Sequence, residues 1–246
     1  FACLLFNYRH SLNKGLHLLI SFAFVLFPMG LILIEPDLGT ALCFFVIMLA
    51  MLWVGGIKPK TMLIILGILL LAIALVFGVL FIATDGFQHT PEELPIPLPL
   101  EGYQLTRLII FINPQMDPLG AGYHMIQSQV AIGSGGIWGK GFGQGSQVQG
   151  DFLPEHHTDF IFSVVGEEFG FVGSVFIICL YFAMLARAVY IAYKAKDLLG
   201  ALMVTGIVAM FTFQIFINIG MTIGIMPITG IPLPLLSYGG SAMLSN

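Results

Sequence analysis

Five runs of apolar residues organise the chain: 16–34, 38–54, 61–83, 169–193 and 199–226. Each approaches the length of about 20 residues that carries an α-helix across a bilayer core. The second is slightly short, and it forms a tight hairpin with the first across Glu35, Pro36 and Asp37. Residues 1–6 read as the tail of an earlier helix and 239–246 as the head of a later one. Between the third and fourth runs lies a segment of another kind, 84–160, too long for a plain connector. Its first part, 90–102, is Pro-rich and reads as extended. Residues 103–114 have the apolar spacing of a helix that stops at Pro114, and 122–136 read as a second amphipathic helix running into glycines. Residues 139–150 are rich in Gly and Gln, with Lys140 their only charge. After the fifth run, 227–242 place three prolines and several glycines in an apolar stretch, the pattern of a broken helix at a substrate site.

The pattern predicts an all-α fold: a polytopic helical membrane protein with a long extracytoplasmic loop carrying short amphipathic helices. Residues 1–246 form one membrane domain, and 84–160 are the loop within it, lying on or dipping into the outer membrane face. Composition agrees. The chain is 58% hydrophobic and 9% charged, with mean hydropathy +0.97, whereas a soluble domain carries about 25% charged residues. The net charge of -4 excludes a nucleic-acid partner as the basis of function. Cys3, Cys43 and Cys179 are scattered in apolar runs without metal-type spacing. The chain opens at Phe1 inside an apolar run and shows no signal peptide, so it reads as an internal fragment of a longer protein.

Charge sets the orientation. Seven of the nine Lys and Arg residues (Arg9, Lys14, Lys58, Lys60, Arg187, Lys194 and Lys196) fall at junctions on one side of the spans, which is therefore cytoplasmic. The other two, Arg107 and Lys140, sit in the 84–160 segment on the opposite face. Of thirteen acidic residues only Asp197 is on the cytoplasmic side.

The acids and histidines crowd into FLPEHHTDFIFSVVGEEFG, residues 152–170. Pro154 suits the first position of a helix, with Glu155 in its first turn. A helix starting there puts Glu155 and Asp159 on one face, with His156 beside Asp159. It also carries Asp159 to the membrane boundary, where a carboxylate is expensive unless paired or facing a polar cavity. Three readings stay open. Asp159 is a general base; or Glu155, His156 and Asp159 bind a divalent cation such as Mg²⁺ or Mn²⁺; or the cluster caps the helix and pairs with Arg107 or Lys140. Glu167 and Glu168 read as structural. Gln214 and Asn218, four residues apart, read as hydrogen-bonding between helices. Ser237 and Tyr238 bring hydroxyls to the last loop.

Four stretches carry a resemblance: EPDLGTA (35–41), DPLGAGYHMIQSQVAIGSGGIWGKGF (117–142), LPEHHTDFIFSVVGEEFGFVG (153–173) and NIGMTIGIMPITGIPLPLLSYGGSA (218–242). They resemble the SEDS family of RodA, FtsW and SpoVE, and are most similar to RodA. The resemblance implies a ten-helix membrane protein in the bacterial plasma membrane, with its active site on the extracytoplasmic face. It implies a peptidoglycan glycosyltransferase that polymerises lipid II beside a class B penicillin-binding protein. This chain would hold the end of helix 4, helices 5 to 9 and the start of helix 10. The family's essential aspartate corresponds to Asp159. The implied reaction inverts the anomeric centre and needs one base and cations at the leaving pyrophosphate. Asp159 takes the first role. Arg107 and Lys140, with Gln127, Glu155, His156 and Ser237, are the candidate substrate-binding residues. A flippase or transporter of the same lipid-linked precursor is the alternative, although its ionisable groups should lie nearer the membrane midplane. Two departures stand out: Glu35, where the family more often has Gln, and a longer link at 90–101.

Overall fold

The computed structural model describes residues 1–9, 11–35, 37–84, 86–87, 102–117, 120–150, 152 and 157–239. The Pro-rich link 90–101 and the expected helix head at 240–246 lie outside these residues. The described residues are helical and connected by turns: α1 (Ala2–Asn7), α2 (Gly15–Ile34), α3 (Leu38–Val54), α4 (Pro59–Ala83), α5 (Gly102–Ile112), α6 (Ala121–Gly135), α7 (Ser146–Gln149), α8 (Ile161–Lys194) and α9 (Leu198–Thr222). Helices α2, α4, α8 and α9 are long and apolar enough to cross a membrane, and α3 is a shorter apolar helix. The protein is thus a polytopic helical membrane protein. The two short helices expected in the 84–160 segment are present as α5 and α6, and Pro114 opens a 3₁₀ turn after the first.

The chain divides into two compact units, residues 1–76 with 182–213 and residues 77–181 with 214–246. In the first, Leu5, Leu12, Met48, Leu52 and Leu202 are fully buried and form the core of α1, α3 and the start of α9. The EPD hairpin has a plain cause. Asp37 is the N-cap of α3 and accepts the Thr40 amide at 3.0 Å, satisfying a donor that the first turn leaves open. Asn13 closes the other end of the same hairpin, accepting the Lys58 amide at 2.8 Å and donating to Gly56 O at 3.2 Å.

The second unit departs from the sequence expectation in α8. The run predicted at 169–193 begins at Ile161, and the helix is interrupted at Gly170, where φ is 66° and ψ is -161°. A break deprives the flanking turns of their intrahelical partners. Here the chain just after α6 supplies them. Phe171 N donates to Gly136 O (2.9 Å) and Val172 N to Ile137 O (3.1 Å), while Lys140 N and Gly141 N donate to Glu167 O and Glu168 O (3.0 Å each). Four groups freed by the break are spliced to one strap, residues 136–141. The approach requires the absence of side chains, because a methyl built at Gly170 would lie 2.3 Å from Gly139 N.

Gly170→Ala should therefore destabilise the second unit by at least about 2 kcal/mol, from a backbone region closed to Cβ and from overpacking. Denaturant unfolding of the purified protein in detergent checks this.

Candidate functional site

Asp159 does not stand on a helix. Residues 157–160 form a turn, and α8 begins only at Ile161. The expected helical face shared by Glu155 and Asp159 is therefore not formed through Asp159, and Glu155 and His156 lie outside the described residues. The physical reason is visible in the carbonyls. Tyr238 N donates to His157 O (2.9 Å), Ser237 Oγ to Thr158 O (2.6 Å) and Asn218 Nδ2 to Asp159 O (2.8 Å). Three consecutive carbonyls are thus engaged by α9 and the last loop.

The last loop is fixed in its turn. Asn218, fully buried, also donates to Ile231 O at 2.8 Å. Ser237 Oγ accepts the Leu233 amide at 2.7 Å, and Tyr181 Oη donates to Pro234 O at 2.6 Å. Gly230, at φ 75°, lies under the Asp159 carboxylate, and a methyl built on it would be 3.5 Å from Oδ2. Two residues earlier, Ile228 O accepts from Arg107 Nη1 of α5 at 3.5 Å. The loop 228–230 therefore brings together a half-buried carboxylate and a guanidinium from distant parts of the sequence.

Behind this turn the helices are locked by hydroxyls. Ser128 Oγ of α6 lies 2.6 Å from Ser163 Oγ of α8 and donates to Thr222 O of α9 at 2.7 Å. All three residues are fully buried. Gln127, the neighbour of Ser128 on α6, is half-buried.

Lys140 is placed elsewhere than at Asp159's loop. Its ammonium lies 2.7 Å from Glu167 Oε1, which also accepts Gln147 N (3.0 Å) and Ser146 Oγ (3.1 Å). Glu167 has no exposed side-chain surface and Lys140 has 29%. Burying a carboxylate is tolerable only with such pairing. Sequence reasoning had offered Lys140 to a substrate; the structure gives its charge to Glu167. Ser237, likewise a candidate for substrate, uses its hydroxyl within the fold as donor and acceptor. Glu167 is structural, as its sequence setting indicates; what the sequence does not show are its pairing with Lys140, the double role of Asn218 and the place of Gly230. The adjacent glycines of GEEFG and GKGFG were the available signal for the first. Among the described residues no group of three His, Cys, Asp or Glu side chains is arranged to hold a metal ion.

A family model described as a cell cycle protein and covering FtsW, RodA and SpoVE matches residues 1–246. The chain belongs to the FtsW/RodA/SpoVE family. It is 39% identical over 232 residues to the peptidoglycan glycosyltransferase MrdB of Escherichia coli K12, covering 94% of this chain and 56% of that protein. Over 144 residues it is 54% identical to the peptidoglycan glycosyltransferase RodA of Treponema pallidum, covering 58% of this chain and 33% of the relative. Stage V sporulation protein E of Bacillus subtilis is 38% identical over 213 residues, covering 87% and 52%. The chain thus spans about half the length of the curated relatives it matches. A solved peptidoglycan synthase complex that coordinates polymerization and crosslinking superposes with TM-score 0.70 at 30% identity, covering 99% of this chain and 64% of that one. Thermus thermophilus RodA superposes at 0.57 with 27% identity, covering 99% and 58%.

Two outcomes follow from the bonding. Lys140→Met leaves Glu167 buried without its cation and should cost about 3–5 kcal/mol, much of it recovered in Lys140→Met/Glu167→Gln; thermal unfolding of the three variants checks this. Asn218→Leu strands the buried Ile231 carbonyl and the half-buried Asp159 carbonyl and should cost about 1–3 kcal/mol for the first and less for the second, measured the same way.

Proposed function

We propose that the chain forms the catalytic core of a RodA-type peptidoglycan glycosyltransferase. It polymerises lipid II into glycan strands for cell elongation and shape, beside a class B penicillin-binding protein that crosslinks them. The site faces the extracytoplasmic side of the plasma membrane. Family membership and the activity in the names of MrdB and RodA support the reaction class. The observation that carries the site is the convergence of Asp159 and Arg107 on residues 228–230.

The chemistry assigned to these groups is an inverting transfer. Asp159 accepts the proton of the acceptor sugar's 4-hydroxyl as that oxygen attacks the anomeric carbon of the donor. The new C1–O4 bond forms on the face opposite the leaving group. The bond from C1 to the pyrophosphate oxygen breaks, and the lipid pyrophosphate departs with the electron pair. Arg107 is the cation we assign to that developing charge, since a guanidinium matches phosphate oxygens in pairs. Asp159 suits a base because its own carbonyl and those of the two residues before it are held while the residue stays partly exposed. A positioned base of this kind contributes about 10²–10⁴-fold to a rate. A divalent cation held by Asp159 with Glu155 or His156 would add charge at the pyrophosphate; the proton transfer assigned to Asp159 stands without it.

Asp159→Asn keeps the backbone pinning and removes the base. The full-length protein, reconstituted with its penicillin-binding partner and labelled lipid II, should lose polymer formation by about 10²-fold or more with an unchanged melting temperature. Normal polymer from the folded variant would sink the assignment.

A further inference from the structure

The strap 136–141 and the residues around it carry an exposed apolar surface that the proposed reaction does not use. Trp138 is 80% exposed and Phe142 83%, and Ile137 beside them is exposed as well. Phe142 packs its ring 6.1 Å from that of Phe169, and Phe169 and Phe171 flank the break in α8 with exposed rings of their own. A patch of this kind left in water carries a large hydrophobic penalty.

Three observations say what covers it. First, the strap is joined to α8 by the four backbone hydrogen bonds at the break, and α8 is a helix long and apolar enough to span a membrane. Second, the patch continues into that helix's own exposed face, where Val175 and Phe176 follow Phe171. Third, the strap presents no net charge. Lys140 is the only ionisable residue between 136 and 150, and its ammonium is turned onto the buried Glu167. An aromatic, neutral, glycine-rich surface contiguous with a membrane span matches the interfacial zone, where Trp is favoured at head-group level. α8 satisfies four of its backbone groups, Gly136 O, Ile137 O, Lys140 N and Gly141 N, which lowers the cost of bringing it toward lipid.

We propose that residues 137–142 insert into the bilayer interface as a foot, with Trp138 and Phe142 among the lipid acyl chains just below the head groups. The Lys140–Glu167 pair makes insertion affordable by neutralising the strap's one charge internally. The foot fixes the depth of α8, and so the height of the residues before it, relative to the lipid surface. This does not depend on the glycosyltransferase reading.

Fluorescence in bilayers tests it. The full-length protein and its Trp138→Phe variant are reconstituted in phosphatidylcholine–phosphatidylglycerol vesicles, and the difference between their emissions isolates Trp138. Lipids brominated high on the acyl chain should quench that difference severalfold, lipids brominated near the methyl end should quench it less, and aqueous iodide should have little effect. Quenching by iodide alone would show a solvent-facing loop and overturn the proposal. So would insensitivity to both quenchers, which means that protein covers the patch. Where Trp138→Phe fails to fold, Phe142→Trp compared with the parent protein gives the same readout from the neighbouring position.

Discussion

A broken helix in a membrane protein must find new partners for its backbone, and that requirement shapes the second unit. The interruption of α8 at Gly170 frees two carbonyls and two amides, and the strap after α6 takes all four. The bonds are short-range and directional, so α6 cannot shift along α8 without losing them. Glu167 then becomes the natural anchor: its carbonyl holds the strap's backbone while its carboxylate holds Lys140, Ser146 and Gln147. The serine pair between α6 and α8, extended to Thr222 of α9, repeats the same logic one turn deeper. Hydrogen bonds fix this arrangement alongside buried apolar side chains such as Met125, Ala131 and Phe162, as expected where lipid removes much of the hydrophobic drive for helices to associate.

The turn bearing Asp159 rests on that frame from one side and on the last loop from the other. The loop contributes a backbone amide and a serine hydroxyl, and α9 an asparagine amide, all to consecutive carbonyls. Functional groups held this way owe their precision to the backbone beneath them. A positive φ at Gly230 and another at Leu235, a residue with a full side chain, show that the loop is bent to a demanding path. Strain of this kind persists only where surrounding bonds over-determine it.

Much of this was legible in the residues. The spans, the two short helices of the 84–160 segment and the broken last loop follow from hydropathy and from proline and glycine positions, because lipid imposes coarse and regular constraints. Asp159 stood out because a carboxylate next to FIFSVV is costly. What could not be read was pairing between distant segments. A helix starting at Pro154 is the better local choice, yet Asn218 and Ser237, roughly sixty and eighty residues away, hold the carbonyls that such a helix needs. Lys140 looked available as a cation because its partner lies 27 residues on, in a stretch whose own periodicity hid a break.

The reliance of residues 157–159 on residues 218–238 also sets an order of events during synthesis. The ribosome delivers the aspartate's segment, then two membrane helices, before the loop that shapes it exists. Until Ser237 and Tyr238 have been made, the His157 and Thr158 carbonyls lack the partners that hold them in the folded chain. A half-made chain therefore carries Asp159 without the full set of bonds beneath it, and the turn is complete only when the last loop docks.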